Sequence, residues 1–202
     1  MTDDLERRLT DATLASDLEL ERFRGALARR AAADGLLDVA YGTIDSPLGT
    51  LTVFVTPHGL VRLSYPGEGI AAQLDELADR VSPRILAAPE QTDLIRRQLD
   101  EYFEGDRSTF DVPIDWRLVR GFAGAVLRAT ARIPFGSVST YGEIATEAGS
   151  PRAYRAAGNA LGSNPVPIVV PCHRVLHAGE GLGGYTGGLE RKRYLLGIEG
   201  VL

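Results

Sequence analysis

Thr140-Tyr141-Gly142-Glu143-Ile144-Ala145-Thr146-Glu147-Ala148-Gly149-Ser150-Pro151 is the stretch on which the fold turns. Thr140 and Glu143 have the spacing of a capping box: the threonine hydroxyl accepts from the third helical amide, and the glutamate reaches back to the threonine amide. That predicts a helix over 141–147, ended by Gly149. Ser150-Pro151 predicts the cap and first turn of a second helix reaching about Leu161. Two short helices around a glycine turn make a helix-turn-helix. Gly121 to Arg132 reads as a further helix leading into it.

Just beyond lies Asn164-Pro165-Val166-Pro167-Ile168-Val169-Val170-Pro171-Cys172-His173-Arg174-Val175, which holds the only cysteine among 202 residues. A lone cysteine makes no internal disulfide and no thiolate metal cage, so it is either core filler or reactive sulfur. The flanks favour reactivity. The apolar run before Pro171 reads as a short buried strand, and the thiol then emerges beside His173 and Arg174, whose positive charge favours thiolate.

Working back toward the N-terminus, Val39 to Ile44, Leu51 to Thr56 and Leu60 to Tyr65 read as three strands of an antiparallel meander, turned at Ser46-Pro47-Leu48-Gly49 and Pro57-His58-Gly59. Ala71 to Val81 and Asp93 to Phe103 have helical spacing, with a short strand near Ile85 between them. The fold class is therefore α+β. Asp111-Val112-Pro113-Ile114-Asp115 is the expected boundary, which divides the chain into 1–38, 39–115 and 116–202. In the first of these, Leu5, Leu9 and Ala12 share one helical face and Leu18, Leu20, Phe23 and Leu27 another, with Asp34-Gly35 as the stop. These apolar faces are expected to pack against the domain or a partner chain.

A net charge of −5 disguises an uneven distribution. Residues 1–115 carry 12 arginines against 22 acids, a net of −10, whereas 116–202 carry 10 bases against 5 acids, a net of +5. The C-terminal half alone has the sign that phosphate requires. Its excess is modest, so binding to nucleic acid should depend strongly on salt. The acidic N-terminus lacks a signal-peptide layout and no apolar run has membrane length, so a cytoplasmic protein with no membrane partner is expected. A free reactive thiol suits that reducing compartment.

Pro171-Cys172-His173-Arg174-Val175, with Asn164-Pro165-Val166-Pro167-Ile168 before it and Gly184-Tyr185-Thr186-Gly187-Gly188-Leu189 after it, resembles the active-site signature of the O6-alkylguanine-DNA alkyltransferases, or methylated-DNA–protein-cysteine methyltransferases. Pro134 to Ala145, Arg155-Ala156-Ala157-Gly158-Asn159-Ala160-Leu161 and Leu195-Leu196-Gly197-Ile198-Glu199-Gly200 extend the match. Residues 116–200 are covered specifically, 39–115 in outline, and 1–38 not at all. The resemblance implies a ribonuclease-H-like N-terminal domain followed by a helical, winged-helix-like DNA-binding alkyltransferase domain.

It also implies roles. Cys172 would accept the alkyl group, His173 would take the thiol proton and Glu199 would orient the imidazole. Asn164 would tie the turn to the thiol segment, and Tyr141 would hydrogen-bond the guanine ring nitrogen. Arg155 would enter the duplex as the base leaves it, with Ala153, Ala156 and Gly158 allowing close approach and the bulky Tyr154 departing from the family pattern. Thr186 would hold O6, Val175 would read the exocyclic amine, and Leu161, Pro167 and Tyr185 would wall the pocket. The implied partner is duplex DNA carrying O6-alkylguanine, with O4-alkylthymine as a further candidate; the absence of a second thiol implies a single turnover, and a monomer is expected.

No cofactor is expected, and no metal: residues 1–115 have no cysteine and one histidine, His58, too few for a zinc site. Three other readings remain open at this level. An alkyltransferase-like lesion binder would lack Cys172, a cysteine hydrolase rarely has its base adjacent in sequence, and a plain helix-turn-helix regulator has no use for the cysteine segment.

Overall fold

The computed structural model describes residues 19–20, 22–179 and 181–202. The predicted face of Leu5, Leu9 and Ala12, together with Leu18, lies outside them. The first helix runs through residues 22–33 (α1) and ends in a turn at Asp34-Gly35. Its buried contact is Ala28, packed with Ala40 and Ala88, whereas Leu20, Phe23 and Leu27 are exposed. Packing of the large apolar face against the domain is thus corrected: the small side chain faces the sheet, where it permits close approach.

Val39–Ile44 (β1), Leu51–Thr56 (β2) and Gly59–Ser64 (β3) form the antiparallel meander. The helix Ile70–Arg80 (α2) then crosses back to Ile85–Ala87 (β4), which pairs parallel with β1 and gives the order β3-β2-β1-β4. A parallel pair demands such a crossover. The helix Asp93–Glu104 (α3) buries Ile95, Leu99 and Tyr102, residues spaced by three or four along one face.

After a 3-10 turn at Trp116–Leu118 come Gly121–Thr130 (α4), Ser139–Thr140 (β5), Tyr141–Glu147 (α5), Tyr154–Gly162 (α6), Val175–Leu176 (β6) and Leu189–Ile198 (α7). β5 and β6 pair in parallel. The capping box of α5 is present in full: Thr140 Oγ1 accepts from the Glu143 amide, and Glu143 Oε2 accepts from the Thr140 amide at 2.7 Å. The predicted cap of the next helix is not. α6 starts at Tyr154 with Ala153 as its N-cap and no side-chain cap: Ser150-Pro151 lie in the turn, where the Ser150 amide donates to the Ala145 carbonyl and the Ser150 carbonyl accepts from the Ala153 amide.

One apolar cluster joins the halves, running from Leu51, Leu60, Leu99 and Tyr102 to Val126, Ile144, Cys172 and Leu195. The backbone joins them too. The Leu63 amide of edge strand β3 donates to the Pro165 carbonyl at 2.8 Å, fastening the sheet to the turn that precedes the cysteine.

Candidate active site around Cys172

The expected strand over 168–170 does not form. Prolines 165, 167 and 171 remove the amides a ladder would need, and the chain folds instead into consecutive tight turns. The Val169 amide donates to the Pro167 carbonyl across Ile168, whose φ is +71°, and the Cys172 amide donates to the Val170 carbonyl across Pro171. The first is a γ-turn of the strained hand on a β-branched residue. Burial of Ile168 and the bonds around it hold the strain in place. The product is a short 3-10 turn, Cys172–Arg174, delivered into the core.

Asn164 ties the two ends of this segment together. Its Nδ2 donates to the Val170 carbonyl at 2.9 Å and to Cys172 Sγ at 3.2 Å, and its Oδ1 accepts from the Val166 amide. The flanks do not make the thiol acidic as the sequence suggested. Burial pushes the Cys172 thiol up, and the Asn164 donor and the charge of Lys192 oppose it only in part. Arg174 is committed elsewhere: both its Nε and Nη2 bond to Glu199.

Glu199, just past the end of α7, is the hub of a buried polar network. Its carboxylate accepts from Arg174, from His173 Nε2 at 2.9 Å and from Tyr102 Oη at 2.7 Å. Burial pushes this carboxyl up, but the His173 and Arg174 bonds outweigh it and hold it at about 2. His173 is fully buried, and burial lowers its pKa despite Glu199, so the ring is neutral. With an ionised acceptor on Nε2, that nitrogen carries the proton and Nδ1 presents a lone pair. Nδ1 has no hydrogen-bond partner among the described residues. The arrangement supplies a base next in sequence to the thiol, with a fixed counter-charge behind it.

A cavity of about 50 Å3 lies against Cys172, walled by Leu161, Pro167, Tyr185 and Thr186, and by Leu63 and Tyr65 from the sheet. The hydroxyls of Tyr65 and Tyr185 lie 2.6 Å apart. The glycine-rich segment before α7 closes over the site by close approach. A Cβ on Gly187 would lie 2.7 Å from the Tyr65 ring, and one on Gly183, where φ is +70°, would lie 2.8 Å from Tyr141 Oη. Thr186 donates to the Gly162 carbonyl at 2.6 Å, and the Val175 carbonyl accepts from Lys192 Nζ at 2.7 Å, so both already have partners. Val175 is buried and is not among the residues walling the cavity.

Tyr141 heads α5, its ring packed on His177 with centroids 5.1 Å apart and its hydroxyl 3.5 Å from the Gly184 carbonyl. On the neighbouring surface of α6, Tyr154, Arg155 and Ala156 are exposed, with Ala153 and Gly158 half-buried. The Arg155 guanidinium lies over the Tyr154 ring at 5.6 Å. α6, which carries these residues, also supplies Leu161 to the wall of the cysteine cavity.

Three participants escaped sequence reasoning. Tyr102 has the spacing of an ordinary core residue of α3, and Tyr65 that of a strand end. Lys192, in the run Glu190-Arg191-Lys192-Arg193, reads as solvated charge, yet it is fully buried and its hydrogen-bond partners among the described residues are carbonyl oxygens. Burial brings its pKa down to about 8.

Residues 39–116 match the family described as 6-O-methylguanine DNA methyltransferase, ribonuclease-like domain, and residues 121–201 match its DNA binding domain. A methylated-DNA–protein-cysteine methyltransferase of Mycolicibacterium paratuberculosis is 40% identical over 161 residues, 80% of this chain and 92% of that protein. The crystal structure of the Mycobacterium tuberculosis O6-methylguanine methyltransferase superposes with a TM-score of 0.68 at 39% identity, over 80% of this chain and 92% of that one. That of Mycobacterium tuberculosis OGT in complex with DNA gives 0.66 at 40% identity, over 79% and 92%.

Proposed function

The chain belongs to the 6-O-methylguanine DNA methyltransferase family and repairs DNA by transferring alkyl groups to a cysteine of its own, and we propose that this acceptor is Cys172, working with His173, Glu199, Asn164 and Tyr141. The substrate on this reading is duplex DNA carrying O6-alkylguanine. The protein acts on it as a monomer in the cytoplasm, where a free thiol stays reduced. Residues 39–115 and 116–202 serve as its two domains.

The observation that carries the reading is the Nδ1 of a neutral, Glu199-bound His173, without a partner among the described residues and next in sequence to a buried cysteine. Because Cys172 is buried, a base inside the duplex cannot reach it and must leave the stack. α6 supplies the means: Arg155 enters the vacated space, Tyr154 lies against the groove wall, and Ala153, Ala156 and Gly158 let the backbone approach. Tyr141 donates to the ring nitrogen and Leu161, Pro167 and Tyr185 enclose the purine; Thr186 exchanges its bond to Gly162 for one to O6, and the Val175 carbonyl, which accepts from Lys192, offers its second lone pair to the exocyclic amine.

The Sγ proton passes to His173 Nδ1 through one water, and Glu199 stabilises the imidazolium that results. The sulfur electron pair forms the S–C bond as the C–O6 bond breaks toward guanine, whose ring nitrogen takes the proton of Tyr141, and the proton His173 took from Sγ restores the phenol through solvent. A thioether is not reversed under cellular conditions, so each chain reacts once. Incubation with duplex DNA bearing labelled O6-methylguanine tests this. Label should appear on the wild type at no more than one per chain and be absent from Cys172→Ser. Label on Cys172→Ser would assign the acceptor elsewhere.

A further inference from the structure

The cavity against Cys172 has room for a group of methyl size, but it does not end there. Arg62, Glu68, Asn164, Pro165 and Thr186 line both it and a second cavity of about 470 Å3, bounded by residues of β3, α2, α4 and the end of α6. Displacement at carbon requires sulfur, carbon and O6 in line, so the rest of an alkyl chain projects sideways from the carbon under attack. A chain longer than methyl must leave the small cavity, and the five shared residues place the larger cavity directly beside it.

The larger cavity has the chemistry of a chain-binding groove. Leu118, Val119 and Ala123 give it an apolar stretch. Arg62 and Arg80 are both paired with Glu76. Glu68 accepts from the Tyr65 amide. Arg62 retains a buried Nε–H with no acceptor among the described residues. Arg120, which lines only this second cavity, is exposed, and its side chain forms no hydrogen bond or ion pair among the described residues. Three arginines against two glutamates leave the groove with a cationic excess, and its uncommitted guanidinium lies away from the sulfur.

We propose that this groove is a subsite for the far end of O6-alkyl groups longer than methyl, selective for chains that end in an oxygen acceptor, above all a carboxylate, with Arg120 as the specificity-determining contact. It rests on Cys172 as the acceptor. The transfer chemistry is unchanged: the S–C bond forms, the C–O6 pair leaves with guanine, and the carboxylate travels with the carbon to the protein.

Single-turnover rates on three duplexes, carrying O6-methyl-, O6-butyl- and O6-carboxypropylguanine, test it. Wild type should react with all three. Arg120→Ala should slow the carboxypropyl duplex about tenfold, as expected for loss of a charge-assisted contact, and leave the methyl and butyl rates unchanged. Arg120→Lys should recover most of the loss. A carboxypropyl duplex that wild type does not accept, a rate insensitive to Arg120→Ala, or an equal slowing on all three would each overturn the subsite. Failure of wild type on the methyl duplex would overturn the acceptor reading itself, so the two are distinguishable.

Discussion

At the scale of single residues, the site is governed by how burial and pairing compete. Glu199 has a folded pKa of about 2 against an unpaired value of 4.5. Its contribution is therefore fully present above about pH 4.5 and is lost as pH falls through 2, a difference of about 3 kcal/mol. His173 has its folded pKa lowered from 6.5, so protons bind the unfolded chain more readily and stability begins to fall below about pH 6.5. Urea unfolding from neutral pH to about pH 3 should show both losses. Glu199→Gln should lack the lower one and be destabilised by about 3–5 kcal/mol at neutral pH, since Arg174 would be left as a buried charge without its counter-ion. Lys192 acts on the sulfur by the opposite sign. Lys192→Met removes a cation that favours thiolate, so transfer near pH 7 should slow about tenfold for each unit by which the thiol pKa rises. A pH–rate profile displaced upward in the variant checks it; an undisplaced profile contradicts it.

At the scale of elements, the helix-turn-helix was legible where the signal was local and illegible where tertiary contacts took over. Thr140 and Glu143 satisfy each other within three residues, so their sequence spacing alone located α5, and Thr140→Ala should cost about 1 kcal/mol in urea unfolding. Ser150 had the same local promise, but its amide closed α5 and α6 began four residues later. The run Ile168-Val169-Val170 had strand composition, and only the prolines on either side gave warning that no ladder could form. β4 was visible as a strand, but its parallel pairing with β1 depends on the path of α2, which residue pattern does not encode. Of the candidate site, the cysteine segment stood out from its residues and Glu199 only through the family resemblance, whereas Tyr102, Tyr65 and Lys192 reach the site from elements whose patterns read as core or surface. The glycine-rich segment before α7 is the element most sensitive to substitution. Gly183→Ala would place a Cβ against Tyr141 in a left-handed backbone, so it should reduce transfer from duplex DNA far more than it reduces global stability.

At the scale of the whole molecule, the two halves meet at the sulfur. The sheet contributes Leu63 and Tyr65, α3 contributes Tyr102 to Glu199, and the same apolar cluster runs through both halves and includes Cys172. The net −10 of residues 1–115 faces no such demand from DNA as the +5 of the remainder, so affinity for undamaged duplex should fall steeply with added salt. Reaction changes the balance of this shared core. An S-methyl group fills a cavity of about 50 Å3 that Tyr65, Tyr185 and Pro167 define from both halves, and the thioether is a poorer acceptor for Asn164 Nδ2 than the sulfur it replaces. The methyl group finds room in that cavity, so the cost comes from the weakened bond of the Asn164 donor, about 1–3 kcal/mol for a buried donor left unsatisfied, and a chain of this size loses about 2–4 °C of Tm per kcal/mol. The methylated protein should therefore melt about 2–12 °C below the unreacted one, with larger alkyl groups lowering it further unless the groove toward Arg120 receives them. Differential scanning calorimetry before and after one equivalent of O6-methylguanine duplex measures this. An unchanged Tm would mean that the pocket widens without disturbing the core that joins the halves.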